Sequence, residues 1–104
     1  MYGVSAYAAV AEPKRRLILD LLRAGEHSVG DLVDRVGLSQ PGVSKHLRVL
    51  REAGLVGARA EGKQRLYALH PQPLAELDAW LEPYRALWEQ RLDALERHLE
   101  ENPC

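Results

Sequence analysis

A mainly α-helical domain carrying one small β-hairpin is the fold class this sequence predicts, and three observations predict it. Apolar residues recur at helical spacing in four segments before residue 54. Two short strand-like runs then flank the turn residues Glu61-Gly62-Lys63. Beyond Pro73 a stripe of ten large apolar residues keeps a spacing of three and four nearly to the end of the 104 residues. In the first segment, Tyr2 to Ala11, residues Val4, Tyr7, Ala8 and Val10 can share a helical face. A second helix over residues 13 to 24 starts at Pro13, whose missing N–H costs nothing in a first turn. It carries Leu17, Ile18, Leu21 and Leu22 and ends at Gly25.

Ser28 with Asp31 three residues on resembles a capping box, and Val29, Leu32, Val33 and Val36 form the apolar face of a three-turn helix closed by Gly37. Ser39 caps the next, with Pro41 in its first turn and Val43, Leu47 and Leu50 inward until Gly54. A short helix, a tight Gly-containing turn and a second capped helix make the helix-turn-helix pattern, whose second helix is the one offered to the DNA major groove. Leu55 to Ala60 and Gln64 to Leu69 then form a hairpin, a wing. The last segment is helical, with Leu74, Leu77, Trp80, Leu81, Tyr84, Leu87, Trp88, Leu92, Leu95 and Leu99 in the stripe. A break or kink is expected at Glu82-Pro83, because an interior proline removes one hydrogen bond and clashes with the preceding turn, at about 3 kcal/mol. Residues 1–70 are therefore read as a winged core with a leading dimerisation helix, and 71–104 as a helical dimerisation segment of the same compact unit.

The stretch VGDLVDRVGLSQPGVSKHLRVLREAGLV followed by ARAEGKQRLYAL resembles the ArsR family of winged helix-turn-helix repressors, and the tail WLEPYRALWEQRLDALERHLE resembles a metal-independent branch of it. The resemblance covers roughly residues 5 to 70 well. It implies a homodimer held by the first and last helices, which binds a partly palindromic operator in double-stranded DNA and blocks transcription.

Composition excludes other classes. With 46% hydrophobic and 28% charged residues this is ordinary globular material, and no apolar run approaches the ~18 residues of a membrane span. The first charges follow the opening apolar stretch, opposite to a secretory signal, so the expected location is the cytoplasm. Cys104 is the one cysteine, which rules out an intrachain disulfide. The net charge of -1 argues against a nucleic-acid partner until the halves are separated. Residues 1 to 73 hold eleven Lys and Arg against seven acids, +4, and residues 74 to 104 hold three Arg against eight acids, -5.

The outward side of the fourth helix presents Gln40, Ser44, Lys45, Arg48 and Arg51. Gln pairs bidentately with adenine, Arg or Lys with guanine, and Ser takes a base edge or a phosphate. Gln40, Ser44 and Lys45, near the helix start, are the base-edge candidates. Ser39 and the helix amino terminus can meet a phosphate, and Arg48 and Arg51 lie where the helix leaves the groove. Arg59, Lys63 and Arg65 on the hairpin can reach phosphates or the minor groove. For His46 two readings stand: the resemblance places a histidine beside DNA here, and the residue equally suits packing at the turn.

No metal or other cofactor is expected. Metal-sensing relatives carry Cys-Val-Cys-Asp-Leu where this chain reads Ser28-Val29-Gly30-Asp31-Leu32, and Ser and Gly supply no soft ligand. A second family site needs an Asp-x-His pair, and Asp78, Glu89, His98 and Glu101 are spread without one. The tail stripe is wider than a 70-residue core can cover and marks an interface. A symmetric dimer covers it, with Val4, Tyr7, Leu77, Trp80, Leu81, Tyr84, Leu87, Trp88 and Leu95 at the contact. Two alternatives belong to other classes, a winged interaction module without DNA binding and a hydrolase assembled from Ser39, Ser44, His46 and Glu52, and a third stays within the class, a metal-responsive repressor with an unrecognised site.

Overall fold

The computed structural model describes residues 5–101. In chain order it contains α1 (Ala6–Val10), α2 (Pro13–Ala24), β1 (His27–Ser28), α3 (Val29–Val36), α4 (Gln40–Glu52), β2 (Val56–Glu61), β3 (Gln64–Leu69) and α5 (Gln72–Glu101). Val4 and Cys104 lie outside the described residues.

Local chemistry sets the helix boundaries. Glu12 caps α2, its carboxylate accepting from the Lys14 N–H at 3.2 Å, and Pro13 occupies the first helical position. Ser28 Oγ accepts from the Asp31 N–H at 3.1 Å and starts α3, and Gly37, at φ 79, ends it in the left-handed conformation that favours glycine. Ser39 Oγ accepts from the Gly42 N–H at 3.3 Å and starts α4. The first helix is shorter than its apolar pattern suggests. Its cap is Ser5, which accepts from the Ala8 N–H, and only five residues follow.

Ile18, Leu19 and Leu22 of α2 meet Leu32 and Val36 of α3, Val43, Leu47 and Leu50 of α4, and Leu55, Val56 and Tyr67 of the hairpin in one buried cluster. Leu17, expected inward, is on the exposed side, and Leu19 takes its place. The sheet has three antiparallel strands in the order β1-β3-β2. Its two-residue β1, absent from the sequence reading, pairs His27 with Tyr67 and Ser28 with Leu66. Glu61 pairs with Gln64, so the wing closes through a two-residue turn with Gly62 at φ 61.

The largest departure from expectation is α5, one uninterrupted 30-residue helix through Pro83. Of the break or kink expected at Glu82-Pro83, the break does not occur. Pro83 withholds one N–H from the carbonyl of Ala79, but both residues are exposed, so water can serve that carbonyl. A brace also crosses the proline. Arg85 donates to the Asp78 carboxylate at 2.7 Å, the Asp78 carbonyl at 2.9 Å and the Glu82 carboxylate at 2.6 Å. No residue of α5 is buried. It packs on α1, where Tyr7 meets Trp80 edge-on at 5.6 Å, and Leu74 leans on the core. The rest projects, giving the chain extents of 64 × 33 × 20 Å and a radius of gyration of 18.7 Å, where a compact chain of this length has about 13 Å. No described helix is long and apolar enough to cross a membrane.

Candidate nucleic-acid interface

The inward set Val43, Leu47 and Leu50 anchors α4 and leaves Gln40, Ser44, Lys45, Arg48 and Arg51 exposed, as their spacing requires. Ser44, Arg48, Arg51 and Glu52 line a shallow cleft closed on its other side by Tyr67 of β3. Tyr67, a core residue that the sequence reading passed over, is thus a further candidate at this site.

Strand register divides the three wing cations. Successive side chains on a strand alternate in face, so Arg65 shares the face of Tyr67, which is the α4 side. Arg59 lies opposite Leu66 in register, on the other face, with Glu61 two residues on. There its guanidinium donates to both Glu26 oxygens, at 3.0 and 2.8 Å, and pairs with Glu61. The hydrogen bonds from Arg59 hold the Glu26 carboxyl below its usual range, and the two acids push Arg59 up. Arg59 is therefore brought together with Glu26 and not with the cleft. Lys63, in the turn, stays exposed.

Other expected contacts are narrowed by bonds already made. Ser39 Oγ serves Gly42, Pro41 has no N–H, and the free donors at the start of α4 reduce to the Gln40 N–H and the Gln40 side chain. His46 is half-buried on the flank of α4, with Nδ1 3.2 Å from Arg15 Nη1. Burial first, and the nearby Arg15 charge second, lower its pKa from the usual 6.5. Its partner within the fold is thus Arg15, met along the middle of α4 and not at the turn. The basic run Lys14-Arg15-Arg16 is likewise committed. Lys14 Nζ donates to the Val36 carbonyl at 3.3 Å, Arg15 Nε to that of Ala9 at 2.7 Å and Arg16 Nη1 to that of Val10 at 2.8 Å, each at or beside a helix end. Among the described residues Lys45, Arg48, Arg51, Lys63 and Arg65 form no ion pair, and neither do Arg23 of α2 and Arg35 of α3, so five of these seven cations lie on α4 and the wing.

The position of the family's metal-binding thiolates does not fit a metal in this chain. Ser28 Oγ is spent on the α3 cap and Gly30 has no ligand atom. Among the described residues no three His, Cys, Asp or Glu side chains cluster in a way that could hold an ion. Ser39, Ser44, His46 and Glu52 do not converge as a catalytic set either, with Ser39 bound to Gly42 and His46 to Arg15.

At the tail the exposed apolar residues are Trp80, Tyr84, Leu87, Trp88, Leu92, Leu95 and Leu99, joined by Tyr7 of α1. Trp80 stacks obliquely on Tyr84 at 4.9 Å. Leu77 and Leu81 are half-buried.

The family description "Bacterial regulatory protein, arsR family" matches residues 12–57, which run from the cap of α2 into β2. The transcriptional repressor SdpR of Bacillus subtilis is 31% identical over 77 residues, covering 74% of this chain and 86% of that protein. The HTH-type transcriptional regulator Rv2034 of Mycobacterium tuberculosis is 43% identical over 72 residues, 69% of this chain and 67% of that one. Among solved structures, an ArsR-like transcriptional regulator from Rhodococcus sp. RHA1 superposes with a TM-score of 0.72 at 29% identity, covering 91% of this chain and 87% of its own.

Proposed function

The chain belongs to the ArsR family of bacterial regulatory proteins, and from that premise we propose that it is a cytoplasmic transcription repressor that binds a partly palindromic operator in double-stranded DNA as a homodimer. The observation that carries this reading is the cleft between α4 and the wing, where Ser44, Arg48 and Arg51 face Tyr67 and the face that bears Arg65. Gln40 and Ser44 read base edges near the start of α4, with Lys45 beside them, and Arg48, Arg51, Lys63 and Arg65 neutralise phosphates. The wide apolar stripe of α5, with Tyr7 of α1, is covered by the same surface of a second copy. Two half-sites one helical turn apart are then engaged together.

The test is selection of duplexes from a random-sequence pool, followed by titration of the enriched duplex against a scrambled one at several salt concentrations. With about six of the dimer's eight such cations each neutralising a phosphate, log affinity should fall against log salt with a slope of roughly -5. Failure to enrich any duplex, or tight binding with a slope near zero, rules the reading out.

A further inference from the structure

We propose that Arg15 is a positioning residue for DNA reading, fastening the middle of α4 to the end of α1 through an acceptor, Nδ1 of His46, that is lost on protonation. The inference rests on the DNA-binding reading above and adds to it a residue that touches no DNA.

Arg15 sits in the first turn of α2, half-buried, and its guanidinium binds two other helices at once. Nε donates to the Ala9 carbonyl at 2.7 Å and Nη2 to the Ala8 carbonyl at 3.3 Å, both on α1. Nη1 lies 3.2 Å from His46 Nδ1 on α4. A guanidinium has donors and no acceptor, so Nδ1 must carry a lone pair and the imidazole proton must sit on Nε2. The fork is rigid, so one side chain fixes α1 and α4 relative to each other in a way a lysine, with its single ammonium on a flexible stem, cannot.

That relation matters because α1 and α4 belong to the two ends of the proposed mechanism. At five residues α1 is far too short to persist by itself, and it takes its place from such ties and from the Tyr7 contact with Trp80 of α5. It is therefore continuous with the apolar surface assigned to the second copy. The helix α4 carries the base-edge candidates. In a dimer that must meet two half-sites at fixed spacing, the setting of α4 on the α1/α5 unit sets the distance and angle between the two reading helices.

Protonation undoes the fastening. A doubly protonated His46 turns Nδ1 into a donor facing a donor, with two cations in contact. The charged groups around the ring are Arg15 on α2 and Lys45 on α4, which oppose its protonation, and Glu12 at the α2 cap, which favours it; α1 contributes carbonyls alone. Burial and Arg15 prevail, so the joint is closed at neutral pH and opens below the usual histidine value of 6.5. The stability it lends is present above that value and fades as pH falls through the lower folded-state value, where the unfolded chain binds the proton more readily.

The experiment measures selectivity, the ratio of affinities for a duplex enriched from a random pool and for a scrambled duplex, between pH 8 and pH 5.5. The ratio matters because a protonated His46 adds general attraction to any DNA, and that cancels. Wild-type selectivity should fall as His46 protonates. The variant His46→Gln, whose side-chain carbonyl accepts from Arg15 and does not titrate, should hold one constant selectivity over the range. Arg15→Ala should lose about tenfold in selectivity at pH 8, the weight of one hydrogen bond to a charged group, with little further loss on acidification. Arg15→Lys should fall between. In the DNA-free protein the His46 ring, followed by NMR, should titrate higher in Arg15→Ala than in wild type. If Arg15→Ala does not fold, His46→Leu, which removes the acceptor and keeps the α1 ties, replaces it with the same expected loss. An enriched duplex bound with wild-type selectivity and pH profile by a folded Arg15→Ala or His46→Leu overturns the positioning role alone. A pool that enriches nothing overturns it together with the DNA-binding reading.

Discussion

Replacing Trp88 by alanine tests the second-copy surface most directly. Trp88 is 52% exposed on a helix that buries none of its residues. A tryptophan side chain offers on the order of 200 Å² of surface, so about 100 Å² per chain is still open to water. At ~25 cal/mol per Å² its burial is worth about 2.5 kcal/mol per chain, and about 5 kcal/mol for the two symmetric copies. Interfaces return only part of such a transfer value once side-chain ordering is subtracted, so a loss of at least about 2 kcal/mol is expected. That is a roughly 30-fold weaker dimer. Sedimentation equilibrium over a concentration series reads the dimer constant, and far-ultraviolet circular dichroism checks that the helices persist. At protein concentrations between the two dimer constants, the variant should also lose the avidity of a duplex with two half-sites and approach the affinity for one. A folded Trp88→Ala protein with an unchanged dimer constant would refute the assignment of this surface to a second copy.

The interface makes two further predictions. Gln40→Ala should cost ~1 to 3 kcal/mol on the enriched duplex and much less on a scrambled one, whereas Arg48→Ala should weaken both alike and reduce the magnitude of the salt slope by about one per chain; titrations at two salt concentrations separate them. Arg65→Ala should lower the salt slope in the same way while Arg59→Ala leaves it unchanged, since Arg59 is held by Glu26 and Glu61 on the other face of the hairpin; equal slope changes in the two variants would show that the wing presents both faces to DNA.

The parts of this fold that were legible in the sequence are those specified within one turn of chain. Pro13, Ser28, Gly37 and Ser39 act on N–H groups and dihedrals next to themselves, and α2, α3 and α4 begin, and α3 ends, where those residues say. What escaped was specified from afar. β1 exists only because His27 and Ser28 lie against Tyr67 and Leu66, and two residues carry no periodicity of their own. Pro83 spoke locally for a break, yet α5 runs through it, with Arg85 reaching back across it to Asp78 and Glu82.

The positive charge shows the same division with a consequence for function. The excess of cations over acids in residues 1–73 reads as a single basic field along the sequence, yet four of its members are occupied: Lys14, Arg15 and Arg16 on carbonyls at or near helix ends, and Arg59 on two acids. The His46 partner of Arg15 and the Glu26 partner of Arg59 lie 31 and 33 residues away, and whether Arg59 or Arg65 faces α4 depends on the parity of one strand, which a one-residue slip would reverse. What remains in residues 1–73 is a set of seven, Arg23 on α2, Arg35 on α3 and the five proposed for DNA, Lys45, Arg48, Arg51, Lys63 and Arg65, which are gathered on α4 and the wing. A concentrated field on one face attracts a polyanion more effectively than the same charge spread over the surface, so the fold, by consuming four cations in its own joints, sharpens the face it offers.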